Sequence, residues 1–434
     1  MRFFLLRGLR SIPLIALLVA GAGCAGALDS GGGAGTPGGA GAAPFALAPP
    51  DSTVHTVQLH PSDDEGSVPA MQLGGGRTLT LQFDLVEEEL GRPLSIYFYH
   101  LDRNGRRDLV PSEFLRGFLS DDLRDWRISG ATTVRYSHYT YTFPNNAIEF
   151  TRSGLYVLRV AEQGNEDRPL FERHFVVSEE AADVRFAFLS GLGLGGPAVQ
   201  PIAELRPGEG LGAAQVYDYT VCFARLGRLD RLRCTGEPSL LDAALYRFAL
   251  PREDAFEAPP PIYSVDLGVL RASPQVVSID YAAQPPAALL ELDYERFGDE
   301  FFDEELLTGQ PLVQEAVLDV ADPRVDGEYI ATTFRYVPEG ERPQGLVWVV
   351  GSFNAWRREP AGRLRWNSTD GRYEGTLLLK QGRYAYRYET EDRSTGGSRA
   401  IIQPSYYTAL VFLRDPVRLT DRLVAVRNSY DEPR

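Results

Sequence analysis

The segment TVRYSHYTYTF, Thr133–Phe143, keeps a two-residue alternation for eleven positions and is stopped by Pro144-Asn145-Asn146. A helix turns about 100° per residue and would scatter Tyr139, Tyr141 and Phe143, whereas a strand sets all three on one side of its pleat. The same period recurs in Arg77–Asp84, Leu94–His100, Leu155–Val160 and Phe171–Val177. Strands at this spacing, separated by turn residues, predict a β-sandwich. Pro111–Phe118 interrupts them with room for a helical turn or two.

Alternation resumes along the 434 residues, a length that allows several cores. A second group of strands is predicted at Val184–Leu189, Gln215–Ala224, Leu245–Leu250 and Gln275–Ala282, and a third at Tyr329–Val337, Leu346–Gly351, Tyr373–Leu379 and Gly382–Tyr388. Between them lies Glu291–Glu305, with eight carboxylates around Phe297, Phe301 and Phe302, read as a solvated acidic linker. The expected fold is all-β, three sandwiches in series: 53–180, 181–290 and 312–434, with 291–311 as the linker.

The N-terminus reads as an export signal. Arg2, Arg7 and Arg10 precede the apolar run Ile12–Val19, then small residues lead to Cys24. The run is too short to remain as a membrane span. Residues 1–23 are expected to be removed and Cys24 to carry lipid, as in bacterial lipoproteins; an ordinary cleaved signal beside a bystander cysteine is the alternative. Residues 24–52 form a Gly/Ala/Pro-rich tether, since twenty of residues 25–50 are Gly, Ala or Pro. As a flexible coil it would span about 28 Å. The expected location is the periplasm, anchored by lipid to the inner face of the outer membrane.

Formal charge is −15, and −18 once the leader arginines are gone, a balance that disfavours nucleic acid. The remaining cysteines, Cys222 and Cys234, flank a short connection between two strands and are expected to pair in an oxidising compartment. Such a loop closure contributes about 3 kcal/mol in the chain-entropy picture. Two free thiols are the alternative. No histidine lies within forty residues of either cysteine, and the spacing fits no zinc pattern.

Signals for catalysis are absent. There is no HExxH, GxSxG or Walker loop, and Gly191–Gly196 runs into Pro197 rather than a phosphate-binding helix. His138 reads as a satisfied strand residue rather than a base. The linker carboxylates could hold a glycosidase pair only at a set separation across a cleft. No cofactor, metal or catalytic residue is expected, and a small-molecule ligand is disfavoured.

VWVVGSFNAW, Val347–Trp356, with Tyr384-Ala-Tyr-Arg-Tyr388, resembles the early-set, immunoglobulin-like sandwich of glucan-binding modules. The resemblance implies that Phe353 enters the core, Asn354 holds the turn, Trp356 offers a flat face to sugar and Arg387 reaches hydroxyls. The second stacking tryptophan of those modules has no counterpart in Glu389–Gly397, so structural reuse of the scaffold outweighs glycan binding.

Four further stretches are more specific. They are Gln72–Asp84 (QLGGGRTLTLQFD), Leu109–Phe118 (LVPSEFLRGF), Thr132–Asn145 (TTVRYSHYTYTFPN) and Phe412–Leu423 (FLRDPVRLTDRL). Together they resemble the plug protein family of the type IX secretion system, strongly at 54–178, well at 345–424 and thinly between. That resemblance implies a non-enzymatic periplasmic plug that binds the outer-membrane translocon barrel and seals its opening. The competing functions are a carbohydrate-binding lipoprotein using Trp356, an adhesion or assembly factor and, last, a glycoside-processing enzyme. Candidate partner-binding residues are Ser112, Glu113, Arg116, His138, Asn145 and Arg414, with Asp421 and Arg422 as a structural pair; local capping and turn geometry is the competing reading for each.

Overall fold

The computed structural model describes residues 43–434 except 88–90, 131, 193–196, 212–213, 243–244, 258–260, 296–303, 315, 318–319, 392–404 and 432–434. Cys24 and residues 1–23, expected to be an export signal, lie outside the described residues. The chain is all-β and builds three sandwiches.

In the first sandwich one sheet runs Val54–Pro61, Leu79–Leu85, Ser137–Phe143, Asp125–Ile128, and the facing sheet runs Ala70–Gln72, Pro169–Ser178, Gly154–Glu162, Leu94–Leu101, Arg107–Leu109. The alternation puts Leu79, Leu81, Phe83 and Phe143 of one sheet against Phe98, Tyr156, Phe171 and Phe175 of the other. Rings of this core meet edge-on, tilted or stacked at centroid distances of 4.8–5.2 Å, within the range aromatic quadrupoles favour. The strand predicted over Thr133–Phe143 begins only at Ser137. Thr133 and Val134 instead donate their backbone N–H groups to the Glu328 carboxylate of the third sandwich.

The expected bounds between the three units do not follow the sheets. The second sandwich is formed by Ala182–Leu192, Pro197–Pro207 and Tyr246–Ala249 on one side. On the other side the strand order is Arg233–Thr235, Tyr219–Arg225, Ser405–Asp415, Thr420–Asp431, so Tyr219–Arg225 pairs with the first strand of the last hairpin. In return, Ile262–Asp266, Val276–Asp280 and Ala287–Tyr294, predicted to fall in the second unit or its linker, are strands of the third sandwich. A boundary near residue 290 therefore cuts through a sheet. An alternating pattern specifies a strand and its buried face, and leaves its sheet to be chosen by tertiary pairing.

One core belongs to all three sandwiches. Tyr99, Leu155 and Val176 of the first, Cys222, Leu226, Leu410 and Phe412 of the second, and Ile262, Val350 and Trp356 of the third pack together. The acidic linker ends inside it, because Leu306 and Leu307 are buried there and the Pro311 carbonyl accepts from Gln58. The tether is likewise docked at its end. Phe45 and Leu47 pack on this core, Phe45 N–H donates to the Gly105 carbonyl at 2.6 Å, and Ala48 N–H donates to Glu172 at 2.7 Å. Among the described residues of this Gly-, Ala- and Pro-rich stretch, these are the large apolar side chains with something to gain from burial.

Candidate functional site

Three of the quoted sequence stretches converge at one end of the first sandwich. Gln72–Gly75, the start of the first, and Pro144, in the third, line a cleft of about 230 Å³ with Met71, Glu149, Phe150 and Val177. The second stretch forms the rim. Pro111–Phe114 is a single helical turn whose Glu113 carboxylate accepts the Val110 N–H at 2.8 Å. Leu115–Gly117 then pairs with Ile148–Phe150. Gly117 has φ +97°, and a Cβ there would stand 2.3 Å from the Ala147 carbonyl oxygen, so no other residue fits the corner.

Asn145 holds the opposing turn. Its side-chain oxygen accepts from the N–H groups of Ala147 and Ile148 at 2.8 and 3.0 Å, and its amide donates to the Thr142 carbonyl at 3.0 Å. Arg116 pairs with Glu149 at 3.0 Å across the rim, both side chains in solvent. Ser112 is exposed on the helical turn. Beyond Gly117, Phe118 and Leu119 stand in water at 68% and 50% exposure. The sequence reasoning missed both. The available signal was a phenylalanine placed directly after a turn glycine, outside any alternating run.

Arg414, Asp421 and Arg422 lie on the last hairpin, where it meets the first sandwich. Asp421 is buried, accepts the Arg103 N–H at 3.0 Å and lies 3.4 Å from both the Arg103 and Arg414 guanidinium groups. Arg422 grips Glu179 through two nitrogens. The expected Asp421–Arg422 pair is therefore not made, since neighbours on a strand point to opposite faces. Leu423 N–H donates to Ser153 Oγ at 3.1 Å, completing the seam.

Trp356 does not present a face. It is fully buried, with the Arg387 guanidinium 5.3 Å from its ring and the Arg228 guanidinium donating to its carbonyl. The turn itself forms as expected, with Asn354 Oδ1 accepting the Gly351 N–H at 2.9 Å and Phe353 packed on the core. Ala355 and Trp356 then both take left-handed φ, +50° and +58°, which swings the indole beneath the turn and against Gly309. Arg387 is itself buried and held by Glu389 at 2.6 Å. Neither residue can reach a sugar in this arrangement.

His138 is likewise internal. Its Nδ1 lies 2.7 Å from Asp84 Oδ1, and burial, opposed by Asp84, holds its pKa below the usual range. The same carboxylate accepts from Lys380 Nζ and Tyr329 Oη, each at 2.7 Å, so strands of the first and third sandwiches are locked through one fully buried ionic group. Burial works against the Asp84 charge, yet Lys380 and His138 keep its pKa lowered. His174 is brought down to about 4 by burial and is neutral near pH 7. Cys222 and Cys234 sit opposite one another on paired strands and are joined as a disulfide. Among the described residues, no group of three or more His, Cys, Asp or Glu is arranged to hold a metal ion.

Residues 54–179 match the family model of the type 9 secretion system plug protein 1st domain. A hypothetical protein from Parabacteroides merdae has a similar structure, with TM-score 0.78 and 22% identity over 90% of this chain and 100% of that one, a likeness of fold. An alkylpurine DNA glycosylase of Pseudomonas fluorescens (10% identity, 29% of this chain and 30% of that one) has a TM-score of 0.17. The BSP domain of a biofilm-associated protein (8% identity, 90% and 61%) has a TM-score of 0.19, and neither of these two likenesses carries an argument. None of the curated proteins matches the chain.

Proposed function

We propose that this chain, whose residues 54–179 match the type 9 secretion system plug protein 1st domain, is a non-enzymatic stopper that docks on the outer-membrane barrel of that secretion system. In this reading it covers the barrel's periplasmic opening. The observation that carries the reading is the convergence of three family-like stretches on one rim, around Phe118, Leu119, Arg116 and the adjacent cleft. Those stretches spend their special residues, Gly117 and Asn145, on shaping an exposed apolar corner. Exposed apolar side chains ringed by polar groups mark partner contacts.

The body suits the task. A stopper must keep its outline under load, and the three sandwiches share one core and are linked by more than one passage of the chain. Attachment at Cys24 would add a high local concentration near the barrel. The test is recovery of partners on the tagged chain from detergent-solubilised outer membranes. The very large secretion barrel should be recovered by the native chain and lost with Phe118→Asp/Leu119→Asp, while that variant keeps its native melting temperature. Recovery of the barrel unchanged by the double substitution removes the corner from the proposal. Failure to recover it with the native chain removes the proposal.

A further inference from the structure

Val417, Tyr217 and Leu419 stand in water at 85%, 71% and 69% exposure. Val417 and Leu419 occupy the tip of the last hairpin. The tip is pre-shaped, because Asp415 accepts the N–H groups of Val417 and Arg418 at 2.9 and 3.1 Å, while Leu419 is held at φ +56° with its N–H on the Asp415 carbonyl. Tyr217 precedes the strand Tyr219–Arg225, whose first residue pairs with Leu413 at the tip end of the hairpin. The three side chains therefore emerge at the same end of one sheet. Nothing in the core requires them to be apolar.

The N-terminal segment arrives at this end too. The turn Asp102–Arg106 receives Phe45 N–H on the Gly105 carbonyl, while its Arg103 donates backbone N–H to Asp421 and side-chain N–H to Thr220. Thr420, directly behind the tip, bonds Asp108. Phe45, the third described residue, is thus tied to the folded body beside the exposed tip.

We infer that the tip Val417–Leu419 with Tyr217 is a membrane-contact element, seated in the headgroup layer of a phospholipid bilayer. The inference rests on the reading of Cys24 as the membrane anchor. Apolar side chains on a rigid turn enter such a surface without an ordering cost, and tyrosine favours the boundary between acyl chains and water. Arg414 and Arg418 flank the tip, with stems long enough to lie along the boundary while their charge stays in water. A short tether alone would leave the body free to tumble, whereas a second contact beside it fixes which face looks at the membrane. Directly behind the tip, Arg422 and Leu423 are bonded to Glu179 and Ser153, neighbours of the strand ends that border the Phe118 corner, so the contact would hold that corner near the bilayer plane.

The chain from residue 24, which retains every described residue, is anchored by a hexahistidine tag at position 24 to nickel-chelating vesicles of phosphatidylethanolamine and phosphatidylglycerol. An environment-sensitive fluorophore is placed at Val417→Cys, at Leu419→Cys or, as a control on the third sandwich, at Tyr281→Cys. Fluorophores at 417 and 419 should move to shorter wavelength and be quenched by brominated acyl chains, with no change at 281. Val417→Asp should reduce the quenching seen at 419 at least about tenfold, the scale of losing one buried apolar side chain. Equal behaviour at all three sites, or shielding at 417 only when the purified barrel is added, overturns the inference. The vesicle anchor is supplied by the tag. Absence of lipid on Cys24 in cells would therefore sink the anchoring premise separately, without deciding whether the tip enters a bilayer.

Discussion

Replacing Lys380 by methionine tests the claim that the first and third sandwiches form one rigid unit. The Lys380 ammonium and Asp84 carboxylate are each about 1% exposed and 2.7 Å apart, and Lys380 also donates to the Arg324 carbonyl. Methionine fills the space and removes the charge, leaving a buried carboxylate supported only by Tyr329 and His138. Breaking one side of such a pair costs about 3–5 kcal/mol, a large share of the 5–15 kcal/mol that typically holds a domain. Neutralising the survivor as well, in Asp84→Asn/Lys380→Met, should recover at least half of that loss, because no uncompensated charge is left. The pH dependence follows from the same groups. In the native chain the Asp84 pKa is lowered, so its contribution is present above the unfolded value near 3.9 and fades as pH falls through the folded one. Without Lys380, burial dominates and the folded pKa rises above the unfolded value. The variant's deficit should then narrow as pH is lowered from 7 to 5. Urea unfolding followed by intrinsic fluorescence at both pH values reads all three quantities. A single-variant loss under about 1 kcal/mol, or strict additivity of the two substitutions, would refute the lock.

Three other outcomes are expected. Trp356→Ala should destabilise the whole chain by about 3–5 kcal/mol in the same unfolding measurement, since the indole fills the core common to all three sandwiches. Glu389 is held down to about 2, burial opposing and Arg387 with Arg358 prevailing, so it should contribute on the order of 3 kcal/mol above pH 4.5 that disappears as pH falls through 2. Glu389→Gln should flatten that part of the acid-unfolding curve. Phe45→Ala/Leu47→Ala should expose the segment before Asp51 to protease within minutes, while the melting temperature of the rest shifts by a few degrees or less.

Much of the fold is legible in the residues. Tyr329–Val337 is a strand at its predicted bounds, and Val347–Gly351, Arg372–Lys380 and Arg383–Thr390 fall within two residues of theirs. What alternation could not convey is partnership. Val276–Asp280 has the pattern expected of it and the sheet of another unit, and the Phe412–Leu423 stretch closes the second sandwich rather than the third. The site was legible to the same degree. Glu113 and Asn145 cap turns, which a short carboxylate or amide beside a proline already suggests, while the exposure of Phe118 depended on the chain reversing at Gly117. Trp356 is the instructive miss. A Gly-Ser-Phe-Asn-x-Trp turn reads the same whether its indole meets solvent or a neighbouring domain, and here Leu226, Leu306 and Leu307 share the core it enters. The Asp421–Arg422 pairing, by contrast, could have been rejected from strand geometry alone.

The exchange of strands matters more for a stopper than the number of its sandwiches. Beads on a linker part by breaking side-chain contacts at each interface, and such interfaces open readily. Here the chain returns to the second sandwich after building the third, since Ser405–Asp415 runs antiparallel to Tyr219–Arg225 over seven paired residues, so the two are joined by more than one crossing. The third cannot close without Ile262–Asp266 and Ala287–Tyr294, which the chain lays down before it reaches the Trp356 turn. Each sheet closes within one sandwich, so parting the units requires opening the core they share and the buried Asp84–Lys380 group while the chain crosses between them more than once. A body built this way keeps the Phe118 corner and the Val417 tip at a fixed distance and angle. If the corner meets the proposed protein rim and the tip the proposed lipid surface, the two weak contacts act as a single strong one, because the second forms at the effective concentration set by the first.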